Sequence, residues 1–163
     1  MPLPENSIIR VVNSKGTAIG AGFLITDHHA ITCAHVVATD LGLQSSSIVA
    51  PQEQINFDFP LVAAGRVLGA RVIAWHIEID VAVLEITDNL PADVQTARLG
   101  QSPDLWQHAF RAFGFPKDFP NGVWTSGRIL GREATGWYQI EDSRQTGYFI
   151  QPGFSGGAIW DES

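Results

Sequence analysis

Residues 151–160 read QPGFSGGAIW, a serine set between glycines just after a proline-containing bend. Such a setting presents a hydroxyl instead of burying it. Gly153, two residues before Ser155, can take backbone angles closed to residues with a Cβ, so the Gly153 and Ser155 amides can point into one small space. Two converging amides make an oxyanion hole, where developing negative charge is stabilised. Gly156 and Gly157 remove bulk on the other side, so strands and substrate can approach the backbone closely. A glycine-rich hairpin turn explains the same letters, because short glycine motifs recur by chance. The rest of the chain has to decide.

Working outward, the segments are short and β-like. Residues 108–115, 122–131, 137–141, 147–151 and 157–160 read as five strands separated by glycine and proline. Residues 80–86, DVAVLEI, form a nearly apolar run that predicts a strand buried on both faces. Residues 61–75, with Gly65 and Gly69 inside, predict one long bent strand or a hairpin, and Ile55, Phe57 and Phe59 alternate with Asn56 and Asp58 as a half-buried strand should. The polar stretch 41–54 predicts a loop around a short strand at 48–50. Residues 7–14, 17–26 and 30–32 complete the strands, with a turn at 27–29, and 33–38, CAHVVA, suits a single helical turn.

Residues 87–107 change character, with two prolines and aspartates at turn-like positions, and their middle reads as a linker. No helix-length amphipathic period competes with these strands. The strands argue for an all-β chain, a β-barrel or sandwich, in two lobes: 1–90 carrying His35 and Asp80, 91–106 as linker, and 107–163 carrying Ser155. The aromatic residues Trp106, Phe110, Phe113, Phe115, Phe119 and Trp124 are expected to fill a barrel and its covering loop.

Composition narrows the function. The 163 residues are 45% hydrophobic and 17% charged, an ordinary globular balance punctuated by sixteen glycines and nine prolines. The net charge of -7, with ten scattered basic residues, argues against nucleic acid or an anionic membrane as partner. The single cysteine, Cys33, permits no intrachain disulfide, and the N-terminal residues lack a basic flank or apolar run of signal-peptide length; both suggest a reducing, cytoplasmic setting. No apolar stretch reaches the roughly 18 residues a membrane span needs.

Three chemical settings then line up along the chain. His35 sits in ITCAHVV, Asp80 opens DVAVL, and Ser155 occupies PGFSGG. Singly, His35 reads as a packed or surface imidazole and Asp80 as a turn residue. The order His, Asp, Ser is the one used by the chymotrypsin arrangement. With GAGFLIT, ITCAHVV, DVAVLEI and QPGFSGGAI in sequence, the chain resembles a trypsin-like serine protease of chymotrypsin fold, from about Ser7 onward. The likeness is to bacterial disulfide-free domains of the HtrA type and to cytosolic trypsin-like domains joined to other modules.

The resemblance implies two six-stranded antiparallel β-barrels, and hydrolysis of peptide bonds through an acyl-enzyme. Ser155 would attack, His35 would take its proton, Asp80 would orient the ring, and the Gly153 and Ser155 amides would hold the oxyanion. A protein or peptide substrate and a fused or partner regulatory domain are implied, and no metal or organic cofactor. A metal reading of His28, His29 and His35 lacks an acidic or thiolate partner at supporting spacing in the linear sequence. Cys33, two residues before His35, reads as inert packing.

Departures from the family pattern qualify these expectations. The chain ends eight residues after Ser155, where chymotrypsin-fold enzymes continue for several strands, so the second barrel is expected to be incomplete and the isolated 163 residues to have weak or no activity. Phe154 stands where digestive relatives carry an acid, which argues against activation by N-terminal cleavage and for a partner or ligand that orders the loops. Tyr148, Phe149 and Ile150 are apolar where a trypsin-type pocket would place a carboxylate, favouring small or medium apolar substrate side chains. The competing functions are a protease-fold binding module without chemistry, and an esterase on the same three residues.

Overall fold

A computed structural model describes residues 4–44, 46–142 and 147–163. A short 3-10 turn leads into strand β1 (Ile8–Val12), whose β-branched run pairs antiparallel with β2 (Ala18–Leu24). The Asn13 side chain closes the connection by accepting the Lys15 and Thr17 amides, each at 2.9 Å. Strands β3 (His29–Thr32), β4 (Ile55–Phe59), β5 (Ala63–His76) and β6 (Val81–Ile86) complete a closed antiparallel barrel in the order β1-β2-β3-β6-β5-β4. Closure leaves no unpaired edge. Its interior holds Ile9, Val11, Leu24, Ile55, Phe57, Phe59 and Leu84 among others.

One buried ion pair sits in the barrel wall. Arg10 and Asp58 face each other across β1 and β4, with Nε–Oδ1 at 2.9 Å and Nη2–Oδ2 at 2.5 Å. Asp58 also accepts the Gly65 amide at 2.7 Å, and Arg10 reaches the Pro120 carbonyl at 2.6 Å. Arg10 therefore compensates a carboxylate that is only 1% exposed and ties the barrel to a loop of the second sheet.

The second sheet has four antiparallel strands, β7 (Ala109–Gly114), β8 (Val123–Arg132), β9 (Tyr138–Asp142) and β10 (Trp160–Asp161), in the order β10-β7-β8-β9. Phe110, Ala112, Ile129 and Phe154 form its core. A further cluster of Ile8, Ala21, Phe113 and Phe115, with Trp124 and Trp160 against it, joins sheet to barrel. The all-β class is as the strand pattern predicts, and the closed first barrel with a partly open second sheet is as the resemblance implies.

Several local expectations need correction. Residues 48–50 form no strand, and Ile48 is 83% exposed, because their short β-branched run finds no partner strand. β6 is buried on one face only, its residues alternating between buried and half-buried, since a barrel strand turns one side outward. Residues 147–151 are irregular, and only Trp160–Asp161 pairs in the stretch predicted at 157–160. The helical turn extends to α1 (Ala34–Asp40). Trp106 is 60% exposed and so fills no core, whereas Phe110, Phe113 and Phe115 do. Residues 87–107 carry no helix or strand, yet they lie against the barrel through Leu90, Val94 and an Ala97 amide bond to the Leu24 carbonyl at 2.7 Å.

Candidate active site

β3 runs directly into α1, with Cys33 at the junction in extended geometry (φ -77°, ψ 143°) and His35 as the second helical residue. β6 is the hydrogen-bonded neighbour of β3, with Thr32 opposite Ala82. That pairing carries Asp80, just before β6, to the start of α1. Asp80 ends a 3-10 turn (Ile77–Ile79) in left-handed geometry, φ 54° and ψ 43°, a conformation aspartate tolerates better than most residues. It does not open the strand as an extended residue, and its side chain is not buried as expected: the Asp80 and His35 side chains are 41% and 42% exposed.

Asp80 grips His35 at two points. Oδ1 accepts the His35 backbone amide at 2.9 Å, and Oδ2 lies 2.5 Å from Nδ1 of the ring. The Asp80 carbonyl also accepts the Ala34 amide at 3.2 Å. With Nδ1 engaged by a carboxylate, the proton of a neutral ring sits on Nδ1 and leaves Nε2 as an acceptor.

Ser155 comes from the other direction, on a loop pinned from both sides. Its carbonyl accepts the Ala21 amide of β2 at 2.8 Å, while the Gly153 carbonyl accepts the Phe115 amide at 2.8 Å. Phe154, the residue between, is buried in the second sheet's core and lies over Gly114. An apolar ring there anchors the loop, where an acid would need a buried positive partner. Gly153 (φ +111°) and Gly156 (φ +83°) both adopt left-handed geometry, and a Cβ would overlap the Phe115 carbonyl oxygen at the first and that of Ala21 at the second. Among the described residues, neither the Gly153 nor the Ser155 amide donates a hydrogen bond, and the Ser155 hydroxyl makes none.

His35 and Ser155 line one cavity of about 530 Å³. The rest of its wall is mostly apolar: Ala112, Ile140, Ile150, Pro152, Phe154 and Ile159. Of the residues preceding the serine, Ile150 faces this cavity, whereas Phe149 is exposed and the Tyr148 carbonyl accepts from the buried Thr125 hydroxyl at 2.8 Å.

Linear spacing concealed a third group beside His35 and Asp80. The donor atoms of Cys33, His35 and Asp80 all lie within 4.8 Å of one another, so the imidazole does have an acidic and a thiol neighbour. Burial, then the charge and hydrogen bond of Asp80, push the Cys33 thiol up to about 11 against a lowering contact from the Gly156 amide. His28 stands beside Asp27 and His29 bonds Thr26, and neither joins this cluster.

A closed six-stranded barrel joined to a second antiparallel sheet, with histidine, aspartate and serine at their junction, is the arrangement of trypsin-like peptidases. The sequence model of the trypsin-like peptidase domain matches residues 20–163, and the chain belongs to that family. Among solved structures, the chain is similar to the Rv3671c protease of M. tuberculosis in an inactive form, at 22% identity and TM-score 0.66, over 97% of this chain and 73% of that one. The serine endoprotease of Yersinia pestis is similar at 22% identity and TM-score 0.67, over 97% of this chain and 50% of that one. No curated protein matches at a significant level. Among the described residues no helix is long and apolar enough to cross a membrane.

Proposed function

We propose that this chain is the catalytic domain of a serine endopeptidase. His35 is the general base, Asp80 its orienting carboxylate, Ser155 the nucleophile, and the Gly153 and Ser155 amides the oxyanion donors. The observation that carries the reading is the double grip of Asp80 on His35, at the backbone amide and at Nδ1, in a residue that lines the same cavity as Ser155.

The steps follow from these groups. A peptide carbonyl enters the cavity, Ser155 Oγ attacks its carbon, and Nε2 takes the hydroxyl proton. The imidazolium is stabilised by Asp80, and the two unoccupied amides receive the oxyanion, each donor worth roughly 3 kcal/mol in such sites. The ring then passes its proton to the leaving amine, and water reverses the sequence on the ester. The Ile140, Ile150 and Ile159 wall carries no charge to meet Lys or Arg, which supports small or medium apolar side chains at the cleaved residue.

In this reading, residues 1–90 form the lobe of the base and its aspartate, 91–106 the connection, and 107–163 the lobe of the nucleophile. The single cysteine supports a reducing compartment such as a bacterial cytoplasm. A second reading, a binding module that keeps the fold without the chemistry, draws support from the unbonded Ser155 hydroxyl. A fluorophosphonate probe separates the two. Labelling at Ser155 that His35→Ala abolishes supports the peptidase, and no labelling in the presence of the protein's natural flanking domains leaves the binding module.

A further inference from the structure

We propose that Cys33, His35 and Asp80 form a binding site for a thiophilic divalent cation of the zinc class, and that occupancy switches the neighbouring serine off. The inhibitory half of this inference rests on the reading of His35 as general base; the binding half does not.

The donor set is one sulfur, one imidazole nitrogen and one carboxylate oxygen, a combination that suits zinc. Bond lengths of about 2.3 Å to sulfur and about 2.0–2.2 Å to nitrogen and oxygen put tetrahedral donors roughly 3.3–3.7 Å apart. The three atoms here lie within 4.8 Å of one another, and Nδ1 and Oδ2 are 2.5 Å apart. Capture of an ion therefore asks the Nδ1–Oδ2 pair to open by about 1 Å and no other pair to close by more than about 1.5 Å, the scale of small side-chain rotations. The backbone already holds the donors together, through the His35 amide on Asp80 Oδ1 and the Ala34 amide on the Asp80 carbonyl. Because the His35 and Asp80 side chains are half-exposed, an ion has an entry path and water can fill the fourth position.

A divalent ion neutralises the Asp80 carboxylate and binds the Cys33 thiolate, so capture releases one thiol proton to solvent and involves no oxidation or reduction. The ring nitrogen turned toward Asp80 is Nδ1, so the metal occupies the Nδ1 lone pair. The remaining ring proton must then sit on Nε2, which becomes a donor and cannot accept the Ser155 proton. Inhibition arises behind the imidazole, outside the substrate cavity, so kcat should fall while KM stays unchanged.

The test is a Co²⁺ titration of the full chain, followed by the thiolate-to-cobalt charge-transfer absorption and reversed by Zn²⁺. One ion per chain with a charge-transfer band is expected. Cys33→Ala and Cys33→Ser, checked for native circular dichroism, should each lose the band, and His35→Ala should weaken binding by more than about 10-fold. In peptide hydrolysis, Zn²⁺ should inhibit reversibly with a chelator, and Cys33→Ala should raise the half-inhibiting Zn²⁺ concentration at least about 10-fold, each variant being compared with its own metal-free rate. No band in the wild type, or a band that survives in Cys33→Ala, overturns the site. A Cys33-dependent band together with no fluorophosphonate labelling of Ser155 upholds the site and removes the peptidase reading instead.

Discussion

The barrel and the second sheet are built from similar strands but hold together differently. Among the described residues the barrel encloses fourteen buried apolar side chains within six paired strands, whereas the second sheet's own core has four, one of them Phe154 from the serine loop. The barrel holds His35 and Asp80 by contacts made entirely within itself. Ser155 instead depends on both regions, through Ala21 on one side and Phe115 on the other. His35 and Asp80 are thus placed by one region, while Ser155 is only as well placed as the junction of the two.

The largest expected effect tests whether the two regions act as one unit. Ser155→Ala and His35→Ala should each lower kcat by about 10⁶, and the double variant should be no worse than either, as for groups that act together. Additive losses in steady-state kinetics would mean that the two residues work separately.

Next in size is the tie between the regions. Arg10→Met leaves the Asp58 carboxylate buried without its partner and should cost about 3–5 kcal/mol in denaturant unfolding. Hydrogen exchange sharpens the comparison, since amides of β7–β9 should exchange faster than those of β1–β6 in the wild type. Equal protection in both sheets would contradict the contrast drawn above.

A smaller effect is expected at the serine loop. Gly156→Ala forces a Cβ into left-handed geometry against the Ala21 carbonyl, a strain of order 1–3 kcal/mol. Because the strain sits in the serine loop, kcat should fall while the melting temperature drops by no more than about 2–12 °C, the range that strain implies. A large drop in melting temperature with kcat intact would show that the loop supports the fold more than the chemistry.

The smallest concerns Cys33. Its folded-state value of about 11 stands above the ordinary 9.0, so the folded chain favours the protonated thiol. That stabilisation is complete below pH 9 and is lost as pH rises through 11. Wild type should therefore lose stability over this window slightly faster than Cys33→Ala in parallel melts, and identical slopes would contradict the shift.

Much of this was legible from local patterning. Alternation at Ile55, Phe57 and Phe59 announced β4, and the glycines around Ser155 announced a tight serine loop. Where reading failed, a neighbour was missing. Residues 48–50 have strand-like letters but no partner, and β6 looked buried on both faces because two of its three outward residues, Val81 and Val83, are also apolar and only barrel closure gives them an outside.

The sequence by itself determined the strand-rich class, the absence of an intrachain disulfide and the residue types able to do acyl-transfer chemistry, because these depend on side-chain chemistry and on a period of two along the chain. Tertiary structure alone decided that Asp80 reaches His35 at both amide and ring, that Phe154 anchors the serine loop, and that Cys33 joins the pair. Those meetings are set by β3–β6 pairing and by the packing of the second sheet against β2, and the distances they impose cannot be read from separation along the chain.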